Sequence, residues 1–279
     1  MASFIRDDKD EAELAARLRD HLFRTERGEY AASVFYDPEK ARICREFLRR
    51  EGRTEGRDYI FFGGYPEAER KMLFLFPAYA AELYSDPADE AAYLEGEARS
   101  CGRISVVRID GSGYRALSHR DYLGSLMGLG IERPVVGDIV PYGPHGAAVF
   151  FCGKIAEYVV SELTRIGADR VTCTSLDGEL AAGTLQINVQ RECRIITDTV
   201  ASLRLDCVAA AILNLPRERA QSLIRAGMVE VDFAPCDKTD RQVTVPCVLS
   251  VRGYGRYELE GTDGETKKGR IRIKAKKYL

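Results

Sequence analysis

The stretch that decides the fold of the C-terminal part is Pro216-Arg-Glu-Arg-Ala-Gln-Ser-Leu-Ile-Arg-Ala-Gly-Met-Val-Glu-Val-Asp232. Its apolar residues recur at the helical period and predict a helix that begins at Pro216 and ends at Gly227. The alternation that follows, from Val229, predicts a strand. A second apolar face directly upstream predicts a preceding helix. The two predicted buried faces consist of Leu205, Val208, Ala209 and Ile212, and of Ala220, Leu223 and Ile224.

Polar residues on the same stretch form a stripe beside the buried face. Arg217, Gln221 and Arg225 recur at i, i+4 and i+8, which aligns them on one side of the helix. Guanidinium groups bind phosphate oxygens through two parallel hydrogen bonds, and glutamine can reach bases or ribose. Arg204 falls in the first turn of the upstream helix, where the dipole disfavours a cation, so a phosphate partner explains it better. A solvated helix face accounts equally well for the stripe by spacing alone.

The tail from Lys267 to Lys277 is strongly basic, with seven Lys or Arg in eleven residues. Its alternation of charged and apolar residues from Arg270 to Lys274 predicts an edge strand with one charged face. Lysine on an edge strand also blocks aggregation, but the density of charge next to the helix pair favours phosphate contact. The candidate RNA-binding residues are therefore Arg204, Arg217, Arg219, Gln221, Arg225, Lys267, Lys268 and Arg270.

Charge is distributed unevenly along the chain. Residues 203–279 carry 15 Lys and Arg against 10 Asp and Glu, whereas the rest carries 26 against 33, so the net charge of −2 conceals a basic end. A basic end on an acidic body is typical of a chain that binds a polyanion with one domain. No basic-then-apolar leader and no apolar run of about 18 residues is present. We therefore expect a cytoplasmic protein without a membrane partner.

The eight cysteines predict neither a metal site nor disulfides. No two are spaced as C-x-x-C, and the three histidines form no ligand pair with them, whereas structural zinc ligands cluster. Cysteines scattered through a cytosolic chain usually behave as small buried hydrophobes. We expect no metal and no cofactor.

The N-terminal residues predict a mostly helical domain over 1–84. One helix follows the apolar period from Ala12 to Phe23, and a second runs from Pro38 to Arg50 behind Asp37 as the N-cap. Pro66 is predicted to open a further short helix between two strand-like segments. A turn-rich, acidic stretch from Ser85 predicts the domain boundary.

The middle residues, 85–182, predict the order β-α-β-β-α-β, with a first helix capped by Ser118 and a second from Ile155 to Ile166. That order is the one of the ferredoxin-like fold, which RNA-recognition domains share. Their base-stacking aromatic signature is absent, so RNA binding is not assigned to this sheet. We predict an α+β chain with a helical N-terminal domain, a ferredoxin/RRM-like middle domain and a C-terminal RNA-binding domain (183–279, core about 203–273).

The C-terminal motif resembles a known RNA-binding domain. Arg204-Leu-Asp206, followed by Pro216-Arg-x-x-Ala-x-x-x-Ile-x-x-Gly-x-Val-x-Val-Asp232, is similar to the S-four domain, first seen in ribosomal small-subunit protein four. The usual pattern is R-L-D, then S-R-x-x-A-x-x-x-I-x-x-G-x-V-x-V-N. Pro216 replaces the usual Ser and Asp232 the usual Asn. If that Asn contacts an anion, Asp232 weakens the contact.

Further motifs, spread over most of the chain, resemble the YlmH family, also called RqcP. They are Phe62–Arg70 (FGGYPEAER), Ser118–Ile131 (SHRDYLGSLMGLGI), Gly137–Ile139 (GDI), Val251–Arg256 (VRGYGR) and Thr266–Ile273 (TKKGRIRI). The resemblance implies a bacterial, non-enzymatic factor that binds rRNA and tRNA on the large ribosomal subunit carrying a stranded peptidyl-tRNA. It also implies support of alanine tailing of the stalled chain together with a partner factor of the NEMF-like RqcH type.

Two other functions stay open. One is an RNA-modifying enzyme, of the pseudouridine synthase or methyltransferase type, that uses the S-four domain to bind its substrate. Arg108-Ile-Asp110 is similar to the R-L-D of pseudouridine synthases, but those that carry an S-four domain have it at the front. His119-Arg-Asp121 lacks the remaining kinase motifs, so no catalytic residue is predicted. The other is an adaptor whose acidic N-terminal part docks a protein.

Overall fold

The computed structural model describes residues 8–81, 87–187, 193–266 and 269–278, which form an α+β protein. The chain divides into two compact units, Met1–Val189 and Gln190–Leu279. The helices are α1 (Asp8–Glu26), α2 (Pro38–Arg50), α3 (Ala78–Ala81), α4 (Pro87–Ser100), α5 (His119–Gly128), α6 (Ala156–Glu162), α7 (Asp177–Ala181), α8 (Leu205–Leu213) and α9 (Arg217–Arg225). The strands are β1 (Ala31–Tyr36), β2 (Tyr59–Phe62), β3 (Lys71–Leu75), β4 (Ile104–Gly111), β5 (Val136–Pro141), β6 (Gly146–Cys152), β7 (Arg165–Ile166), β8 (Asp169–Ser175), β9 (Cys193–Val200), β10 (Val229–Val231), β11 (Ala234–Pro235), β12 (Cys247–Val251), β13 (Gly255–Glu265) and β14 (Ile271–Tyr278).

The first residues of unit one build a small antiparallel sheet, β1-β3-β2, beside α1 and α2. Helix α2 has the predicted bounds because the Asp37 carboxylate accepts a hydrogen bond from the Lys40 amide at 2.8 Å and Pro38 follows it. Strand β1 was not predicted, since its partner β3 lies about 40 residues away in sequence. The predicted short helix at Pro66 is wrong, because that residue lies in a turn.

The second sheet of unit one has the order β5-β6-β4-β8-β7, and its elements follow the predicted sequence β-α-β-β-α-β. Helices α5 and α6 pack on one face, around the buried Tyr122, Leu126 and Val159. Ser118 forms the predicted capping box with Asp121. The predicted helix to Ile166 is wrong at its end: α6 stops at Glu162, and Arg165–Ile166 pair with β8 instead.

The other face of this sheet is partly covered by the first sheet. Phe35 and Phe62 share a core with Val106 and Phe150, so a single hydrophobic cluster joins residues on both sides of the predicted boundary at 84/85. Ser85 lies outside the described residues. Residues from Pro87 form helix α4 rather than the turn-rich stretch predicted there. The division into three domains at 84/85 and 182/183 stays a prediction.

Hydrogen bonds between the FGGYPEAER and GDI motifs hold the two sheets of unit one together. The Asp138 carboxylate, on β5, accepts hydrogen bonds from Tyr65 Oη at 2.7 Å and from the amides of Glu69 (2.7 Å) and Arg70 (3.0 Å). The neighbouring Gly137 leaves room for Phe35, whose ring would approach an added Cβ to 2.7 Å. The FGGYPEAER and GDI motifs therefore serve packing within this unit.

Unit two is a six-stranded antiparallel sheet, β11-β10-β12-β13-β14-β9, that shares one core with α8 and α9. Both helices have the predicted buried faces. Pro216 is the N-cap of α9 rather than its first helical residue. The prediction that the basic tail forms an edge strand is wrong, because β14 lies between β13 and β9. Strand β9 was not predicted.

Asp232 has a conformational role in unit two. It and Phe233 have φ of 51° and 61° and connect β10 to β11, as in a two-residue type I′ hairpin. Its carboxylate accepts a hydrogen bond from the Val248 amide at 2.9 Å. Asp and Asn tolerate this left-handed backbone better than most residues, which gives a structural reason for either residue at this position.

The cysteines only partly follow the expectation of burial. Cys44, Cys236 and Cys247 are buried, whereas Cys101 and Cys193 are exposed. Among the described residues, no group of three or more His, Cys, Asp or Glu side chains could hold a metal ion. None of the helices in the described part of the chain is both long and apolar enough to cross a membrane.

Candidate RNA interface

The centre of the candidate site is the carboxylate of Asp206, in the first turn of α8. Its side chain is fully buried. The backbone around it is fixed by the loop before β12: the Leu205 amide donates to the Arg241 carbonyl at 2.8 Å, and the Asp206 amide donates to the Thr239 carbonyl at 3.0 Å. A buried carboxylate requires partners, because removing its charge from water without compensation is costly.

Three predicted site residues supply those partners. Arg204 donates from Nε and Nη2 to the two carboxylate oxygens of Asp206 at 3.2 and 3.3 Å. Arg217, on α9, donates from the same two nitrogens to Oδ2 at 3.1 and 2.8 Å. Gln221 donates from Nε2 to Oδ2 at 2.7 Å. The helix pair thus brings together residues that are up to 17 positions apart in sequence.

The electrostatics of this cluster leave excess positive charge at the surface. Desolvation acts to raise the pKa of Asp206, but hydrogen bonds from Arg204, Gln221 and Arg217 outweigh it and hold the pKa well below its usual range. The side chains of Arg204 and Arg217 are 35% and 51% exposed. Asp206 engages Nε and Nη2 of each guanidinium, and the Nη1 groups take no part in these bonds. One carboxylate therefore orients two guanidiniums whose remaining donors can serve an anion.

The placement of Arg204 corrects the reasoning from sequence. Arg204 is the N-cap of α8, with extended φ and ψ, and does not lie in the first helical turn. Its partner within the chain is Asp206, which explains a cation beside the helix N-terminus without a phosphate. A phosphate contact would be additional to this ion pair.

The hydrogen-bond partners of the Asp206 side chain are Arg204, Arg217 and Gln221, and the other predicted residues that the structure describes are Arg219, Arg225 and Arg270. Arg219 and Arg225 are exposed on α9, but Arg219 follows Arg217 by two residues, about 200° around the helix, and lies on the other flank. Arg270 is exposed and donates to the side chain and the carbonyl of Thr199, on β9. Lys267 and Lys268 lie outside the described residues.

The basic tail is less available than its sequence indicates. Lys274 Nζ lies 3.2 Å from Glu260, and Lys276 pairs with the same carboxylate. These hydrogen bonds lower the pKa of Glu260 despite its opposing desolvation. Lys277 lies over the ring of Tyr257. The positive charge of β14 is therefore partly offset within the sheet itself.

Two features of this surface were missed from the sequence. The residue patterns did not identify Asp206 as a site residue, although the R-L-D triplet places it next to the buried Leu205. The loop at residues 237–242, which carries the exposed Lys238 and Arg241, pairs with the backbone next to Arg204. Pairing between residues that are distant in sequence brings this loop to the cluster, and no local sequence pattern predicts that pairing.

The chain is similar in sequence to known proteins over most of its length. Residues 101–179 match the family described as "Putative RNA-binding domain in YlmH". The chain is 31% identical over 214 residues to "Ribosome-associated protein quality control protein P2" of Bacillus subtilis (strain 168), an alignment that covers 76% of this chain and 75% of that protein. Among solved structures, "Cell division protein ylmH from Streptococcus pneumoniae" is 16% identical, with a TM-score of 0.45 over 63% of this chain and 94% of that one.

The fold and the site define an α+β protein with a carboxylate-organised cluster of guanidiniums on its basic C-terminal unit. Because the chain is 31% identical to this relative over 76% of its own length and 75% of the relative's length, it belongs to the YlmH family, also called RqcP.

Proposed function

We propose that this protein binds structured RNA on the large ribosomal subunit, with rRNA and tRNA phosphates as its main ligands, and acts in ribosome-associated quality control of stalled chains. The observation that carries the proposal is the cluster in which the buried Asp206 orients the half-exposed guanidiniums of Arg204 and Arg217. Preoriented guanidiniums lose little side-chain entropy when they bind an anion. The relative in Bacillus subtilis, whose name places it in ribosome-associated quality control, supports the biological setting.

The finer assignment of parts belongs to the same proposal. Unit two is an S-four domain, supported by its helix pair and by the R-L-D motif at residues 204–206. Residues 104–175 are a ferredoxin/RRM-like module, supported by the strand order β5-β6-β4-β8. The protein is a non-enzymatic, cytoplasmic factor. It supports alanine tailing together with a partner of the NEMF-like RqcH type, and its ligand is a large subunit that retains peptidyl-tRNA.

Selectivity for that particle has a physical basis. One small basic domain offers few phosphate contacts, so tight binding needs a second contact made at high effective concentration. A large subunit with a retained tRNA offers two RNAs, whereas a vacant subunit offers one. We expect co-sedimentation with tRNA-bearing large subunits to exceed that with vacant large subunits or with small subunits. Equal co-sedimentation with vacant and tRNA-bearing subunits would refute the two-RNA proposal.

Salt dependence tests the contact chemistry. Four to six phosphate contacts on single-stranded RNA predict a slope of log K against log salt of roughly −3 to −4, at about −0.7 for each contact. Arg225→Ala should reduce this slope by about 0.7. Arg120→Ala, an exposed arginine on α5 in unit one, is the matched control and should leave the slope unchanged. A flat salt response of the unmodified protein would exclude phosphate binding as the source of affinity.

The modifying-enzyme alternative has its own test. Nucleosides of tRNA and rRNA from cells lacking the protein should show no missing modification by mass spectrometry. A lost modification that the purified protein restores would replace the present proposal. In the structure, Asp110, the carboxylate of the pseudouridine-synthase-like triplet, accepts hydrogen bonds from Arg108 and Tyr142, so its two oxygens have partners in the chain.

A further inference from the structure

Among the described residues of unit one, only half of one face of the five-stranded sheet is covered. Helices α5 and α6 cover the opposite face. On this face the first sheet, α4 and α7 share a core with residues of β5, β6 and the first half of β4, where Val106, Ala148 and Phe150 are buried. The second half of β4 and all of β8 continue the same face beyond this cover. The central position that stacks bases in RNA-recognition domains is therefore covered, whereas no described residue of unit one packs over the side toward β8.

Strand register identifies the side chains of the open half. Arg108 pairs with Thr174, and Asp110 pairs with Thr172, and residues directly opposite in antiparallel strands share a face. Arg170 follows the same alternation on β8. These side chains are exposed or half-exposed, whereas the alternate residues of β8 point into the core below α5 and α6. The open half is thus polar and cationic.

An aromatic ring lies at the border of this open half. Tyr142 is 40% exposed, although a tyrosine side chain can bury its ring. Its ring lies against Gly146, where an added Cβ would come within 2.4 Å of Cε2, so only glycine leaves space for it. Gly146 pairs with Asp110 across β4. The row Gly146–Asp110–Thr172 therefore crosses three adjacent strands, about 10 Å in all.

Asp110 fixes both the ring and a guanidinium. Tyr142 Oη donates to Oδ1 at 2.6 Å, and Arg108 Nε donates to Oδ2 at 2.9 Å. The side chains of Arg108 and Asp110 are 48% and 40% exposed. The same device occurs in unit two, where Asp206 orients two arginines. Here the carboxylate presents one aromatic ring and one cation side by side.

The open half is positive within an acidic part of the chain. Arg165 pairs with Arg170 across β7 and β8 and is exposed on the same face. On the open half, Arg108, Arg165 and Arg170 therefore accompany the carboxylate of Asp110, although residues 1–202 hold 33 acidic and 26 basic residues. Such a local reversal of charge complements an anionic ligand.

We propose that this surface, formed by Tyr142, Arg108, Arg165 and Arg170 with Thr172 and Thr174, binds a single-stranded RNA segment. An unpaired base stacks on Tyr142, and the adjoining phosphates contact the arginines. Sequence-independent single-strand sites combine an aromatic platform with a cationic track in this way. Duplex RNA is a poorer ligand, because its paired bases offer no free face to the ring. The site consists of residues of unit one alone, so the inference does not rest on the Asp206 cluster of unit two.

The absence of tryptophan from the chain allows a direct test. Tyr142→Trp places the sole indole of the full-length protein at the proposed platform. Tyr158→Trp is the matched control, because Tyr158 is 45% exposed on α6, at the opposite face of the sheet. A decamer of uridine should quench the Tyr142→Trp fluorescence with saturation and leave Tyr158→Trp unchanged. Adding Arg108→Ala and Arg170→Ala should make the negative slope of log K against log salt shallower by about 1.4, or about 0.7 for each lost phosphate contact.

Photocrosslinking of the unmodified protein tests the proposal without depending on whether a variant folds. Photocrosslinks from a 4-thiouridine decamer to the unmodified protein should map to peptides that contain Tyr142 or residues 169–175. Tyr142→Leu, which keeps apolar bulk above Gly146, should lose the Tyr142 crosslinks, and Tyr142→Phe should keep them. Removing the aromatic face should weaken binding at this site about 5- to 150-fold.

The outcomes separate this inference from the proposed function. Quenching that is equal in Tyr142→Trp and Tyr158→Trp, or equal for the decamer and for a duplex of the same length, would overturn it. No response to either RNA, with no crosslinks to these peptides, would also overturn it. In an Arg217→Ala background the quenching at position 142 should persist. Loss of ribosome binding in the Arg217→Ala background would therefore not affect the inference about Tyr142. Ribosome binding that is kept without quenching at position 142 would overturn the inference and leave the proposed function intact.

Discussion

Replacing Asp206 by Asn is the most informative single change in this protein. Asparagine keeps the volume of the side chain and one carbonyl oxygen, which can still accept the hydrogen bond from Gln221. It removes the buried negative charge that Arg204 and Arg217 share. The change also raises the net charge of the chain from −2 to −1. General attraction of a polyanion would increase slightly, whereas the orientation of the two guanidiniums would be lost.

The expected loss of stability follows from the contacts. Removing one partner of a buried ion pair costs about 3–5 kcal/mol. The guanidiniums here are 35% and 51% exposed and can turn toward water after the change, so solvent reduces the penalty to about 2–3 kcal/mol. Losing the orientation of two arginines should weaken RNA binding by about 1–2 kcal/mol, or 5- to 30-fold.

Hydrogen exchange measures locally how much stability unit two loses in Asp206→Asn. The chain has two compact units, so a global unfolding curve need not be two-state. Amides of α8 and α9 should exchange roughly 30- to 150-fold faster in Asp206→Asn, since each 1.4 kcal/mol is a factor of ten. Amides of unit one should exchange at the unmodified rate.

Asp263→Asn is the matched control. Asp263 is exposed on β13 in the same unit, and its replacement adds the same charge. This variant should leave exchange of α8 and α9 unchanged and keep or slightly increase RNA affinity. If Asp206→Asn binds RNA as tightly as Asp263→Asn does, the proposed role of Asp206 in orienting the arginines is refuted.

Three further predictions follow from burial, packing and titration. Leu223→Ala should destabilise unit two by about 2–5 kcal/mol by hydrogen exchange, because the side chain is 7% exposed in the core; no increase in exchange would contradict that placement. Gly137→Ala should lower the melting temperature through overpacking of about 1–3 kcal/mol, since the Phe35 ring lies 2.7 Å from the new Cβ, whereas Gly124→Ala, with open space around it, should not. Because its partners depress the pKa of Asp206, the contribution of Asp206 to the stability of unit two is present above about pH 4 and is lost as the pH falls through the folded-state pKa. Protection of the α8 amides from exchange should therefore fall on acidification of the unmodified protein. In Asp206→Asn this loss of protection should be absent.

Local signals in the sequence determined the elements that local physics dictates. The Asp37-Pro38 pair sets the start of α2, and the S-x-x-D of Ser118 sets that of α5, because capping satisfies backbone donors within one turn. Helical periodicity identified the buried faces of α8 and α9, since only those faces can leave water together. The resemblance of the spaced motifs also placed the chain in its family, which the 31% identical relative confirms.

Pairing between distant segments was beyond these signals. The prediction that β14 is an edge strand failed because β9, about 75 residues upstream, pairs along its whole length. The predicted helix at Pro66 failed because Asp138, which follows by more than 70 residues, supplies acceptors to the loop. Both outcomes depend on hydrogen bonds across the fold, and a sequence window contains neither partner.

The candidate sites divide in the same way. The sequence determined which cations are present and that Arg217, Gln221 and Arg225 share one side of a helix. Only the tertiary structure decided that Asp206 is buried beneath Arg204 and Arg217, and that the first sheet leaves Arg108 beside Tyr142 at an open border. The physical reason is that charge and period are properties of a segment, whereas burial and orientation depend on which distant segment packs against it.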